Sequence, residues 1–180
     1  MVKTLNAGAI GVALPDLATG LDLAAAHGFA GLEIDPSMLD GGSRDLAAAK
    51  GVSLEAFGLS VEWRRDDDTF REGLDRLPAL ADRAAAAGMT RCATWVLPGR
   101  EGLGYDPCSR FHRERFRPIA EILGERGISL GLEFIGPKHL RDPYPFPWIY
   151  SLHAMLDFGT TVAPNVGVLL DAYHWHTSGG

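Results

Sequence analysis

Two carboxylates and one histidine carry the strongest chemical signal in this 180-residue sequence. Glu133 lies in the run Gly131-Leu132-Glu133-Phe134-Ile135-Gly136-Pro137-Lys138. Asp171 and His174 lie in the run from Leu169 to Gly180, which reads Leu-Leu-Asp-Ala-Tyr-His-Trp-His-Thr-Ser-Gly-Gly. Side chains alternate faces along a strand. Ser129, Gly131 and Glu133 therefore share a face, opposite Ile128, Leu130 and Leu132. Gly167, Leu169 and Asp171 likewise oppose Val166, Val168 and Leu170. Each run has one bulky apolar face for packing and one smaller face that ends in a carboxylate. Carboxylates joined by imidazole suit a hard or borderline divalent cation such as Mn²⁺, Mg²⁺ or Co²⁺. Such a cation holds adjacent sugar oxygens and polarises a carbonyl. A neighbouring carboxylate then moves the proton on the adjacent carbon.

Other residues at strand ends are weaker candidates. Trp63 and Trp95 suit the walls of a substrate pocket and suit core packing equally well. Lys138, His139 and Arg141 follow the Glu133 run and are placed to grip a sugar hydroxyl or phosphate, the plainer alternative being a solvated loop. Glu33 reads as a partner in a structural ion pair, and His176 has no assigned role. Asp66, Asp67 and Asp68 read as a solvated helix cap, and Cys92 as a buried thiol.

The elements that would position these groups alternate strictly. Apolar or β-branched runs at 9–14, 31–35, 52–59, 90–96, 128–135 and 166–173 predict strands. Between them, Ala- and Leu-rich segments at 17–27, 44–50, 70–87, 110–126 and 148–158 predict helices, most ending at a glycine. Pro78 and Pro118 are expected to kink or split their helices. Strands alternating with helices imply βαβ units around a parallel sheet. At roughly 30 residues per unit, the length accommodates six units in a single domain over residues 1–180. Length alone favours an open doubly wound sheet, because a closed eight-fold barrel takes roughly 250 residues. The carboxylates at the strand ends favour a barrel that lacks its last two units.

Composition excludes several classes. A hydrophobic fraction of 46% argues against disorder. The net charge of −6 argues against a nucleic-acid partner. No run of about 18 apolar residues suggests a membrane span, and the first residues make a poor signal peptide. Cys92 and Cys108 read as free thiols in a reducing compartment, so the expected location is the cytoplasm.

The two motifs, with Glu133 in one and Asp171 and His174 in the other, resemble the sugar phosphate isomerase/epimerase superfamily, the xylose-isomerase-like TIM barrels. The βα order supports the likeness along the whole chain. The resemblance implies an α/β fold of parallel (β/α) TIM-barrel type, present as six strands of an incomplete barrel. In ketose 3-epimerase-like members a Glu, Asp, His and Glu from strands five to eight hold a divalent metal, and the two glutamates form the acid/base pair. Carried over, Glu133 is a ligand and an acid/base group, Asp171 is a ligand, and His174 binds a substrate oxygen. The remaining His and Glu would fall in strands seven and eight, after Gly180. A chain with six strands is then a fragment, a barrel completed by partners, or inactive.

The implied activity is isomerisation or epimerisation of a sugar or sugar phosphate, with Mn²⁺, Co²⁺, Mg²⁺ or Zn²⁺ as cofactor. The implied partner is a small molecule, with no nucleic acid and no membrane, and a homo-oligomer would cover the open sheet edges. A second reading is a non-catalytic truncated barrel acting as a binding module. A third is a metal nuclease like the apurinic-site endonucleases, which share the strand-five and strand-six motifs. Those enzymes need histidines at earlier strand ends, where Trp63 and Trp95 stand here.

Overall fold

The strands of the structure, a computed structural model, are Thr4–Leu5 (β1), Gly31–Glu33 (β2), Ser53–Gly58 (β3), Arg91–Val96 (β4), Ser129–Phe134 (β5) and Val166–Leu169 (β6). The helices are Leu17–Ala26 (α1), Ser43–Ala49 (α2), Asp67–Ala86 (α3), Tyr105–Gly124 (α4), Lys138–Arg141 (α5), Leu152–Val162 (α6) and Ala172–Thr177 (α7). The structure describes residues 1–179; Gly180, the last residue of the Asp171 motif, lies outside them.

The six strands pair in the order β1-β2-β3-β4-β5-β6, and every pair is parallel. A doubly wound sheet reverses its strand order at a switch point. Here the order never reverses, which is the winding of a (β/α) barrel wall. Among the described residues β1 and β6 each have one neighbour, so the wall is not closed.

Alternation decides which face is covered. Leu130, Leu132 and Phe134 of β5 are buried, as are Cys92, Thr94 and Val96 of β4. Helices cover this outer face. In α4 the buried residues Phe116, Ile119, Ala120 and Leu123 recur at three- and four-residue spacing, forming one apolar stripe. In α3 the stripe is Phe70, Leu77, Ala81 and Ala84. The inner face carries a row of small residues in register, Gly58, Ala93, Gly131 and Gly167. The next inward row along the strands is Trp95, Glu133 and Leu169. The smaller strand faces are thus the barrel interior, and Glu133 stands at its mouth.

Several boundaries differ from expectation. The first strand is Thr4–Leu5, not residues 9–14. Leu5 is buried, whereas the Asn6 carboxamide oxygen accepts from Ala9 N (2.9 Å) and turns the chain outward, leaving Ile10 exposed. Helix α4 starts at Tyr105 because Pro107 fits a first helical turn, where its missing N–H is no loss. Helix α6 spans Leu152–Val162 and runs through Gly159, where the expected helix ended. Pro78 and Pro118 do not split α3 or α4, whose buried stripes run on past them. Asp66 alone caps α3, accepting from Asp68 N and Thr69 N. β6 stops at Leu169, and Tyr173 to His176 are helical. Glu33, expected in an ion pair, makes none among the described residues; burial raises its pKa and the nearby Asn6 side chain lowers it.

An aromatic cluster locks α4 to the wall. The His112 ring stacks on Trp148 (4.1 Å, 5°), and Trp63 meets Phe116 edge-on at 4.7 Å. His112 Nδ1–H donates to the Cys108 carbonyl (2.8 Å). Burial, helped by the nearby Arg100 and Arg64, lowers the His112 pKa to about 4. Burial also pushes the Cys108 thiol up to about 11 and raises Cys92 further, so neither thiol is an active nucleophile at neutral pH.

One close approach sets the end of the wall. Gly136 follows β5, and a Cβ there would overlap the His174 carbonyl and lie 2.8 Å from Thr177 Oγ1. Helix α7 therefore rests on the backbone at the end of β5. Gly136→Ala should lower stability by about 1–3 kcal/mol by pushing α7 away. A thermal midpoint equal to wild type would show that α7 is not seated there.

His112 predicts a pH dependence of folding. Its pKa is lower folded than unfolded, so the unfolded chain binds the extra proton. Stability is therefore complete above about pH 6.5 and falls as pH drops toward 4. The loss is about 3 kcal/mol. In urea titrations across that window, His112→Phe should abolish this component of the slope, and an unchanged slope would refute the assignment.

Candidate metal centre

Glu133, Asp171 and His174 meet at the carboxyl ends of β5 and β6. One oxygen from each carboxylate and one imidazole nitrogen lie within 4.8 Å of one another. All three residues are half-buried.

Each is placed by backbone. Glu133 is fixed by the β5 register, between Trp95 on β4 and Leu169 on β6. Asp171 is two residues beyond Leu169, so it keeps the inward parity. Its Oδ1 accepts from Tyr173 N (2.7 Å) and His174 N (3.0 Å), capping α7. That turn swings His174 back over Gly136, whose N–H donates to His174 Nδ1 (3.4 Å).

The electrostatics follow from this crowding. Desolvation raises the Glu133 pKa, His174 lowers it, and the Asp171 carboxylate raises it. Two carboxylates that repel each other at one point are stabilised by a cation between them. The two carboxylate oxygens fit a hard or borderline cation such as Mn²⁺ or Co²⁺ and leave coordination positions for other oxygens. The residues therefore fit a divalent metal.

The other candidate residues are more scattered. Trp95 projects inward beside Glu133 and is 46% exposed. Trp63 is buried, and its Nε1–H donates to Thr94 Oγ1 (3.2 Å). Lys138 is exposed and paired with Asp142 (2.8 Å). The Arg141 guanidinium lies 4.2 Å from the Tyr150 ring centroid. Lys138 is thus neutralised within the β5–α6 connection, and Arg141 stacks there on Tyr150 with its Nε buried and without an acceptor.

Two residues that the motifs do not highlight stand near this mouth. The Arg64 guanidinium lies over the rings of Trp95 (3.7 Å) and Trp63 (4.2 Å). Arg100 reaches over from the β4–α4 connection, and its Nη1–H donates to the Arg64 carbonyl (3.3 Å). The only sequence hint was the arginine directly after Trp63 at a strand end.

Comparison with solved structures finds the same barrel fold elsewhere. A xylose isomerase domain protein from Alicyclobacillus acidocaldarius superposes with a TM-score of 0.77 at 29% identity, over 92% of this chain and 62% of that one. The IolI protein, solved with a bound zinc atom, gives 0.71 at 18% identity, over 100% of this chain and 66% of that one. D-psicose 3-epimerase from Clostridium cellulolyticum, solved with D-tagatose, gives 0.67 at 21% identity, over 89% of this chain and 60% of that one. The chain thus spans under two thirds of the length of these proteins. No curated protein sequence matches it. Among the described residues no helix is long and apolar enough to cross a membrane. The sequence pattern of one family matches residues 21–180, most of the chain, and by that match the protein belongs to the xylose isomerase-like TIM barrel family.

Proposed function

We propose that this chain carries the strand-five and strand-six part of a metal-assisted isomerase or epimerase site for a sugar or sugar phosphate. The observation that supports the reading is the convergence of Glu133, Asp171 and His174 within 4.8 Å at the barrel mouth. Glu133 is the acid/base group. Its raised pKa brings it nearer the pH at which a carboxyl both takes and returns a proton. Asp171 is a ligand whose Oδ1 is held by two backbone N–H groups, which keeps the carboxylate aimed while its second oxygen remains available.

His174 acts on a substrate oxygen. Gly136 N–H points at Nδ1, so Nδ1 is the acceptor and Nε2 carries the proton. A metal-ligand role through Nε2 would put a proton on Nδ1, facing the Gly136 N–H donor. Trp95 offers an inward aromatic wall beside Glu133. A divalent cation held by Glu133 and Asp171 would polarise the carbonyl and so acidify the adjacent C–H.

The test is calorimetric titration of the purified chain with Mn²⁺ and Co²⁺, followed by proton exchange with a ketose in D₂O. Binding at micromolar metal is expected, with a loss of at least tenfold in Asp171→Ala and Glu133→Ala, and deuterium should enter the carbon next to the carbonyl. A folded chain that binds neither ion would overturn the reading. In the metal-free chain, carbon-detected NMR should place the Glu133 titration above the ordinary 4.5, and Asp171→Asn should bring it down by removing the like charge. A Glu133 midpoint unmoved by Asp171→Asn would mean the two carboxylates do not share a site.

A further inference from the structure

A cavity near the Glu133 cluster is lined by different chemistry. Its volume is about 610 Å³, within the roughly 300–1,000 Å³ of small-molecule sites. Three connections wall it: β3–α3 with Trp63 and Arg64, β4–α4 with Gly99 and Arg100, and β5–α6 with Tyr144. Gly99 is required there, because a Cβ would run into the Tyr144 ring.

We propose that this cavity is the subsite for an anionic group, a phosphate or a carboxylate, carried by a polyol whose reacting carbon lies at Glu133. The link between anion and reacting carbon rests on the function proposed above; the anion subsite itself does not.

Four observations carry the proposal. First, Arg64 and Arg100 both line the cavity, and neither forms an ion pair among the described residues. The only carboxylate on the wall, Glu101, is exposed at the rim and pairs with neither. Lys138, by contrast, is already neutralised by Asp142. Second, Arg64 Nε is buried without any acceptor, while Nη2 donates to Thr94 Oγ1 (3.2 Å) and to the Trp95 carbonyl. This half-buried guanidinium feels the Glu62 carboxylate only from beyond ion-pair distance, so an anion in the cavity supplies the close partner it lacks. Third, the guanidinium lies against two indole rings, Trp63 at 4.2 Å and Trp95 at 3.7 Å, which restrict its movement. A planar fork fixed before binding suits bidentate recognition of phosphate or carboxylate. Fourth, His112 contributes a neutral acceptor to the same wall. Its Nδ1–H is spent on the Cys108 carbonyl, which leaves the Nε2 lone pair for a hydroxyl proton.

The two sites share a border. Arg64 rests on Trp95, and Trp95 is the registered neighbour of Glu133. Neighbouring strands are about 4.8 Å apart. A ligand anchored by its anion between the arginines is therefore directed along the mouth toward the carboxylates.

The probes are glycerol 3-phosphate, glycerate and glycerol, titrated into the full chain with tryptophan fluorescence as the readout. Saturable quenching by glycerol 3-phosphate or glycerate, with glycerol inert, is expected, and the tighter of the two identifies the anion. Arg100→Gln, on a surface connection, should weaken binding about tenfold, as should Arg64→Lys, which keeps charge but loses the fork. Glu133→Gln should retain it. No saturation by either anion, equal quenching by glycerol, or unchanged affinity in a folded Arg100→Gln would overturn the proposal. Anion binding by a chain that binds no Mn²⁺ or Co²⁺ would leave the subsite standing and remove the isomerase reading instead.

Discussion

The Asp171 carboxylate ends β6 and begins α7 in a single contact. By accepting the N–H groups of Tyr173 and His174, it satisfies the donors that a helix start leaves open. It also turns the chain sharply at the strand end. Without that turn His174 would continue away from the wall. With it, the imidazole returns to Gly136, and the inward oxygen faces Glu133. The cap and the candidate ligand are the same side chain, so the local fold and the chemistry of the mouth have a common cause.

That contact works only because two longer-range constraints agree with it. The parallel register sets Glu133 level with Leu169, two residues before Asp171. A one-residue slip would turn one carboxylate to the helix side. The glycine after β5 leaves room for the α7 backbone, which no side chain would permit. Helix α7 has only six residues and none is buried. Its position is therefore dictated by its cap and by Gly136 more than by an apolar core of its own.

Period-two alternation made the site half legible. Along β5 and β6 the bulky and small faces separate in the sequence; the burial of β5 follows that alternation and so agrees with the parity of Glu133, whereas β6 is half-buried throughout. The unbroken strand order, which decides between barrel and doubly wound sheet, is a property of pairing between distant segments and has no local signature. The first strand was misplaced because its residues 9–14 carry the apolar pattern, while burial falls on Leu5. His174 lies beyond the expected strand and was singled out only by the family resemblance; its position depends on a helix cap. Arg64, Arg100, His112 and Tyr144 were not legible as a group, because they come from three connections and a helix that only the fold brings together.

Charge is sorted along the barrel mouth in a way that the net value of −6 hides. Carboxylates gather at β5 and β6, and unpaired guanidinium groups gather beyond β3 and β4. Trp95 stands on the border, with Glu133 in register on one side and Arg64 stacked on its ring. Arg64 also spends one nitrogen on Thr94 and on the Trp95 carbonyl, which ties it to β4. Two opposite charges kept apart on rigid elements have a definite direction between them. A polar ligand entering this mouth meets that direction before it meets any single residue, and so has one favoured way round.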